Sequence, residues 1–378
     1  MASLASTITS ETNYIFDVLR IMCERKMKTE TTTFGTFSST VVQNISKQDA
    51  TGFIATKDMS ILWCSDSHGG SLDKKKYIIR DFLNSLTDEQ WLEYVSQKDF
   101  HMSERDDDGK YISKLFRDIE ERGPYIDTGA TLSIVVITPT TIECYRVGDS
   151  PILVFRDGEN ILCSNHEKEF IEDVIILKQR EHFGENLHHS CDTFSGVVPA
   201  PDIRPISENV MTNKKSYYIY WDTGSGTNMT RCIGHDRPLK LHVRQKNARE
   251  EAIESQTSTT PSTSTPPTIP TEPSLPSWTM TKNVIERIPG RPEKVIVATD
   301  GMSVVSDAFD YETIYGVHEI NAVDIAHMGL KRWKQVWTFK VGGYLEQQHR
   351  IPDWNRDDIA VAVWASTQPT STPPNITK

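Results

Sequence analysis

The sequence lacks the features that mark several large classes of protein. Its six cysteines are spread over 378 residues without a Cys-x-x-Cys pair, which favours reduced thiols over a disulfide framework or a zinc ribbon. No stretch approaches the roughly 18 apolar residues that cross a bilayer. The N terminus has no charged segment followed by an apolar one, so we also expect no signal peptide. These absences predict an intracellular protein, either cytoplasmic or nuclear.

Basic residues are scarce relative to acidic ones. The chain has 41 Lys and Arg against 52 Asp and Glu, which gives a formal net charge of −11. Nucleic acids and anionic membranes attract basic surfaces, so we predict neither as a partner, and we expect a monomer. Hydrophobic residues make up 37% of the chain, which is ample for a core.

Two segments have too few apolar residues to pack into that core. Residues 255–277 consist largely of Ser, Thr and Pro and are predicted to form a disordered insertion, and residues 365–378 a disordered tail of similar composition. Near the other end, residues 12–27 have the apolar spacing of an amphipathic helix. The sequence therefore divides into a leader with this helix (1–32), one domain with the insertion inside it (33–364), and the tail.

The apolar pattern changes along the domain. Residues 75–122 have helical spacing and include a Thr-Asp-Glu-Gln capping box at 87–90. Residues 130–163 alternate, are rich in β-branched types, and are interrupted by turns at Pro139-Thr140 and Asp157-Gly158. This pattern predicts an antiparallel meander in a mixed α/β (α+β) domain and disfavours a doubly wound parallel sheet.

Acidic residues stand at the ends of several predicted strands. They are Asp49, Asp66, Asp149, Asp300 and Asp357. Carboxylates at one rim of a sheet repel each other unless cations neutralise them, and hard oxygen ligands favour Mg²⁺ or Mn²⁺. Two such ions can activate a water and clamp phosphoryl oxygens. Turn capping explains any single one of these residues equally well, but the ordered set favours a metal site.

The order of the motifs resembles that of the metal-dependent protein serine/threonine phosphatases of type 2C. Residues 65–70, Ser-Asp-Ser-His-Gly-Gly, look like that family's Asp-Gly-His-Gly-Gly, and residues 145–150, Tyr-Arg-Val-Gly-Asp-Ser, look like its Asn-Val-Gly-Asp-Ser. Further matches are Gly-Ala-Thr at 129–131, Thr-Arg-Cys-Ile-Gly at 230–234 with Leu-Lys at 239–240, Ala-Thr-Asp-Gly at 298–301 and Asp-Asp-Ile-Ala-Val at 357–361. The resemblance runs from about residue 33 to residue 364, apart from the insertion.

The resemblance implies a β-sandwich of two antiparallel sheets flanked by α-helices, with the metal ions at one end. It implies hydrolysis of phosphoserine and phosphothreonine in phosphorylated protein substrates. Asp66 is then expected to bridge two ions, with the Ser67 carbonyl on one of them. Asp300 and Asp357 are expected to hold the other ion.

The remaining expected roles also follow from the resemblance. Asp49 belongs to the metal site, and Asp149 serves a third, looser ion. His68 acts as the general acid for the leaving seryl or threonyl oxygen, a role that its near-neutral pKa permits.

Two positions that bear on metal and phosphate binding depart from the family's pattern. Gln48 stands where the family has a glutamate, and Asn44 stands where it usually has an arginine that clamps the substrate phosphate; an asparagine cannot supply that charged fork. Ser67 replaces a glycine, which is compatible with the use of its carbonyl alone. The departures leave two interpretations open: an active phosphatase with a weakened site, or a phosphatase-like pseudoenzyme that serves as a binding or scaffold protein.

A second enzyme class has to be considered. Calcineurin-like metallophosphatases also use an Asp-x-His motif followed by Gly-Asp-x-x-Asp, and this chain offers Asp66-Ser67-His68 and Gly148-Asp149. However, Ile152 occupies the position of the second acid, and Asp300 and Asp357 have no role in such a site. The type 2C interpretation accounts for more of the sequence.

Overall fold

The computed structural model of the protein describes residues 28–32, 35–43, 46–69, 77–123, 128–164, 194–199, 202–205, 217–221, 226–227, 232–234, 278–306, 309–341, 345–350 and 356–367. The predicted leader helix, the Ser/Thr/Pro insertion, Asn44 and most of the predicted tail lie outside these residues.

The strands, in chain order, are β1 (Lys28–Thr32), β2 (Gly35–Val42), β3 (Asp49–Ala55), β4 (Ser60–Gly69), β5 (Thr128–Ala130), β6 (Leu132–Ile137), β7 (Thr141–Val147), β8 (Ile152–Arg156), β9 (Glu159–Ser164), β10 (Phe194–Pro199), β11 (Asp202–Pro205), β12 (Tyr217–Trp221), β13 (Gly226–Thr227), β14 (Ile233–Gly234), β15 (Thr281–Glu286), β16 (Glu293–Ala298), β17 (Val336–Val341), β18 (Leu345–Arg350) and β19 (Ile359–Ser366). The helices are α1 (Ile78–Ser85), α2 (Asp88–Ser96), α3 (Lys114–Glu120), α4 (Asp300–Ser303) and α5 (Ala322–Trp333), with a π-helical turn at Asp310–Ile314.

Two large sheets form the body of the fold. One has six strands in the order β1-β2-β19-β16-β8-β9, and the other has seven, in the order β14-β5-β4-β6-β7-β15 with β3 paired to β4. Neighbouring strands run antiparallel in the first sheet and in the second. The described residues also form two smaller sheets, β10-β12-β13 and β11-β17-β18.

Within the described residues, the core lies in three apolar layers. Between the large sheets pack residues from both, including Phe37, Leu62 and Val297. Helices α1, α2 and α3 cover the outer face of the seven-stranded sheet, where the Trp91 ring stacks on the Trp63 ring with centroids 5.1 Å apart. Helix α5 covers the outer face of the six-stranded sheet. Central strands such as β19 are buried at every position, because both faces of each sheet are covered.

The sequence-based expectation of two antiparallel sheets flanked by helices is therefore confirmed. The predicted capping box is also present: the Thr87 side chain accepts from the Gln90 backbone, and the Gln90 side chain accepts from the Thr87 backbone. Strand β1 begins at Lys28, although the domain was expected to begin at residue 33, and β19 extends to Ser366, although the tail was expected to begin at residue 365. Every helix in the described ranges is too short or too polar to cross a membrane.

Candidate metal centre

Four predicted metal ligands come from the two large sheets at the same end of the sandwich. Asp49 is the first residue of β3 and pairs directly across the ladder with Asp66 of β4. On the opposing sheet, Asp300 follows β16 and Asp357 precedes β19, which is the neighbour of β16. Asp49 and Asp66 are buried, at 1% and 8% exposure, whereas Asp300 and Asp357 are partly exposed.

Thr131 holds the backbone of Asp66. The gap between β5 and β6 falls at Thr131, whose Oγ1 accepts from the Asp66 N–H at 2.9 Å, while its own N–H donates to the Asp66 carbonyl at 2.8 Å. The Thr131 hydroxyl also lies 2.5 Å from that of Ser150. Gly148, with φ of +91°, packs so closely that a Cβ there would lie 2.6 Å from Thr131 Cγ2. The turn that carries Asp149 is thus fixed against the strand that carries Asp66.

Thr299 links Asp49 to the opposite sheet. Its hydroxyl donates to Asp49 Oδ2 at 2.5 Å and accepts from the Ala360 N–H at 2.9 Å. The other oxygen of Asp49 is buried without a hydrogen-bond partner among the described residues, and the same is true of one oxygen of Asp300.

Glycine is required where the Asp300 turn meets β19. A Cβ on Gly301 would lie 1.8 Å from the carbonyl oxygen of Asp358. The absence of a side chain therefore lets the backbone of α4 approach the segment that carries Asp357. This close approach brings the carboxylates of Asp300 and Asp357 into one cluster.

Burial and mutual repulsion raise the pKa of each carboxyl in this cluster. Burial, then the charges of Asp358 and Asp357, raises the pKa of Asp49 well above its usual range. Burial, then the charges of Asp49 and Asp300, does the same to the pKa of Asp66.

The two carboxyls of the opposite sheet behave in the same way. Burial and then Asp149 raise the pKa of Asp300 to about 7, although hydrogen bonds with Asp66 and the Gly301 backbone lower it. Burial and then Asp300 raise the pKa of Asp357 to about 8. Since carboxyls from both sheets and from the turn at Asp149 affect one another, all five predicted acidic ligands belong to a single electrostatic cluster.

The donor set of the cluster fits a hard divalent cation. Its side chains offer oxygen atoms only, which Mg²⁺ and Mn²⁺ prefer, and two of those oxygens are buried without a hydrogen bond within the described residues. In that part of the chain, no three His, Cys, Asp or Glu side chains converge closely enough to form a coordination shell as they stand. A cation bound among these carboxylates would offset their mutual repulsion.

The other predicted site residues lie on the same strand end. Ser67 and His68 follow Asp66 in β4 and pair with Ala130 and Gly129 of β5. Ser67 is fully buried and its N–H donates to the Gln48 carbonyl at 3.3 Å, while His68 is half-buried. Of the two departures from the family pattern, Gln48 lies beside the cluster and Asn44 is outside the described residues.

Sequence reasoning missed several residues that hold the carboxylates. Thr131 and Thr299 were recognised only as members of short motifs, and Asp358 only as the neighbour of Asp357. Asp358 is 1% exposed, and its Oδ2 accepts from the Ser46 hydroxyl at 2.9 Å and from the Gln48 N–H at 2.6 Å. The only signal in the sequence was that each of these polar residues adjoins a predicted strand.

Comparison with known protein families agrees with the resemblance seen in the order of the motifs. The family model described as protein phosphatase 2C matches residues 38–333. No curated protein matches the sequence.

Solved structures also align with most of this chain. A serine/threonine phosphatase from S. agalactiae is 15% identical, with 90% of this chain and 97% of that chain covered and a TM-score of 0.41. A serine-threonine phosphatase 2C from Toxoplasma gondii is 10% identical, with 90% and 99% covered and a TM-score of 0.45. A C. elegans sex determining protein is 14% identical, with 89% of this chain but 66% of that chain covered and a TM-score of 0.44.

Proposed function

The chain belongs to the protein phosphatase 2C family, as the order of its motifs predicted, and on that premise we propose that it hydrolyses phosphoserine and phosphothreonine in proteins. The observation that carries this proposal is the cluster of carboxylates from both sheets, whose members raise one another's pKa. Maintaining such repulsion in a folded protein makes physical sense when a cation offsets it. The calcineurin-like alternative assigns no role to Asp300 and Asp357.

The cofactor we infer is Mg²⁺ or Mn²⁺, as two ions with a third, looser one. When bound, such ions supply an activated water and neutralise charge on the phosphoryl oxygens. Asp66 is the residue that would bridge two ions, because Thr131 fixes its backbone and the charges of both Asp49 and Asp300 act on its carboxyl. The Ser67 carbonyl is proposed to contact one ion, and Asp300 and Asp357 the other. Asp149 is proposed to serve the third.

His68 is proposed to deliver a proton to the leaving seryl or threonyl oxygen. It lies two residues beyond Asp66 on β4 and is half-buried at the strand end, so the same ladder that fixes Asp66 also limits the movement of its backbone. An imidazole can hold and release a proton near neutral pH. Phosphorylated proteins are the proposed partners, and the monomeric state and intracellular location stay predictions.

The second candidate function is that of a phosphatase-like binding or scaffold protein. Gln48 motivates it, because a neutral amide adjoins Asp49 where the family has a carboxylate. The backbone of Gln48 is nevertheless fixed on both sides, by Asp358 and by Ser67. The departure therefore changes the charge of the site while its backbone contacts are kept, which favours a weakened enzyme over a binding protein.

Hydrolysis of a phosphothreonine peptide in the presence of Mn²⁺ distinguishes the two functions. We expect wild-type protein to release phosphate, and Asp66→Asn and Asp300→Asn each to reduce the rate by about 100-fold or more, since each removes a charge from the reacting centre. Phosphate release that is absent in wild type, or equal in all three proteins, contradicts the catalytic proposal and favours the scaffold.

Restoring the family's residues is the complementary experiment. Gln48→Glu is expected to increase Mn²⁺ affinity, because it adds a carboxylate beside Asp49. Asn44→Arg is expected to lower KM for the phosphopeptide, because arginine can make a charged, two-pronged contact with phosphate. If neither variant changes affinity or rate, these two positions do not weaken the site.

A further inference from the structure

The connection between β2 and β3 passes from one large sheet to the other beside the carboxylate cluster. Within it, residues 46–48 are held from the six-stranded sheet by a single carboxylate oxygen: Asp358 Oδ2 accepts from the Ser46 hydroxyl and from the Gln48 N–H. On the seven-stranded side, the Gln48 carbonyl accepts from the N–H of Ser67. The segment thus joins the strand of Asp66 and Ser67 to the strand that follows Asp357.

Helix α1 holds the same segment from outside the sandwich. The Tyr77 hydroxyl donates to the Ser46 carbonyl at 2.9 Å, and the Arg80 guanidinium donates to the Lys47 carbonyl. Arg80 also lies over the Tyr77 ring, 4.3 Å from its centroid. Lys47 has a φ of +50°, a conformation that non-glycine residues adopt at a cost. Hydrogen bonds to both neighbouring carbonyls offset that cost.

We propose that residues 46–48 form a brace that sets the spacing of the metal ligands, with Asp358 as its principal positioning residue and Tyr77 as its outer support. The inference rests on the proposed metal-dependent function. Asp358 is not itself proposed to contact an ion or a reacting atom. It acts by fixing Gln48 between β19 and β4, and therefore by fixing Asp357 relative to Asp66 and the Ser67 carbonyl.

Loss of the brace should weaken ion binding, whereas a loss of stability elsewhere in the fold should not. Residues that orient metal ligands through hydrogen bonds typically change affinity by about 10–100-fold when removed. Ser46 and Gln48 donate to the same oxygen of Asp358, so an asparagine that places its amide oxygen there can still accept from both. The asparagine variant therefore separates hydrogen-bond positioning from negative charge.

The experiment is a Mn²⁺ titration of full-length protein by isothermal calorimetry, with no substrate present. We expect Asp358→Ala to bind Mn²⁺ about 10–100-fold more weakly than wild type, and Asp358→Asn to lie within about 3-fold of wild type. Tyr77→Phe removes one hydroxyl, which donates to the Ser46 carbonyl, and is expected to weaken binding about 2–10-fold, the equivalent of one neutral hydrogen bond. Because Tyr77→Phe is a mild change, it tests the brace even if Asp358→Ala does not fold.

Asp310→Asn serves as the matched control. Asp310 is a fully buried carboxylate that accepts from Arg332 at 2.8 Å, and its loss should lower the melting temperature without changing Mn²⁺ affinity. Wild-type affinity in both Asp358→Ala and Tyr77→Phe overturns the brace, and so does an Asp358→Asn variant as weak as the alanine. A wild-type protein that binds no Mn²⁺ overturns the proposed function itself, and the brace with it.

Discussion

Asp300→Asn is expected to stabilise the metal-free protein while it removes activity. In the folded protein, burial and Asp149 raise the pKa of Asp300 from the ordinary 3.8 to about 7, so at neutral pH and above its charge opposes folding. The two pKa values differ by about 3 units, and each unit corresponds to about 1.4 kcal/mol. The ionised Asp300 therefore destabilises the folded protein by at most about 4 kcal/mol. The asparagine is itself polar and partly buried, so we expect Asp300→Asn to raise the free energy of unfolding by about 1–3 kcal/mol. This corresponds to an increase of a few °C in melting temperature.

The stability of the metal-free protein should change with pH in a definite direction. The folded state binds protons on Asp300 and Asp357 more tightly than the unfolded chain does, with pKa values of about 7 and about 8 against 3.8. The free energy of unfolding of the metal-free wild type should therefore fall as the pH rises from about 4 to about 8. The free energy of unfolding of Asp300→Asn should fall less steeply with pH, because this variant lacks one of the two titrating carboxyls.

Thermal unfolding in EDTA, at about pH 5.5 and about pH 8, tests this reasoning. We expect Asp300→Asn to melt above wild type at the higher pH, with a smaller difference at the lower one. Added Mn²⁺ should raise the melting temperature of wild type more than that of the variant. Asp310→Asn provides the opposite control, because it removes the negative charge that pairs with the buried Arg332 guanidinium and should lower the melting temperature at both pH values. An Asp300→Asn protein that is destabilised in EDTA at the higher pH would show that the charge of Asp300 does not oppose folding.

Two further substitutions test other parts of the structure. Gly301→Ala is expected to lower the free energy of unfolding by about 1–3 kcal/mol in urea titrations, because its Cβ would lie 1.8 Å from the Asp358 carbonyl oxygen; unchanged stability contradicts the close approach. Lys294 is 1% exposed, its Nζ donates to the Val317 carbonyl at 2.6 Å, and burial lowers its pKa from 10.5 to about 7. Between pH values of about 7 and 10.5, Lys294 keeps its proton in the unfolded chain but loses it in the folded protein. The free energy of unfolding should therefore rise with pH over this range. A Lys294→Met protein should not show that rise.

The parts of the fold that follow from local pattern were predictable. The capping box at Thr87 and Gln90 has a fixed spacing of polar residues, and the alternation of residues 130–163 follows directly from strand geometry. Strand β1 could not be predicted in this way. Its sequence, Lys-Thr-Glu-Thr-Thr, is polar because it is an edge strand whose burial is only partial, so its strand structure depends on pairing with β2.

The site was predictable to the extent that its ligands stand at strand ends in a recognisable order. What holds those ligands could not be predicted, because the partners are distant in sequence. Asp358 lies 312 positions from Ser46 and Thr299 lies 250 positions from Asp49. No periodicity or local spacing indicates such pairs, and a serine or threonine beside a strand is too common to point to one partner.

The Mn²⁺ dependence of phosphothreonine peptide hydrolysis, measured on EDTA-stripped wild type and Asp66→Asn, shows whether the carboxylates around Asp66 form a catalytic metal site. Neither protein should hydrolyse the peptide before Mn²⁺ is added. Added Mn²⁺ should give a saturable rise in the rate of wild type, and at most about one hundredth of that rate in Asp66→Asn. Hydrolysis that persists in EDTA, or that responds to Mn²⁺ equally in both proteins, contradicts the claim that the carboxylate cluster around Asp66 is the catalytic metal site.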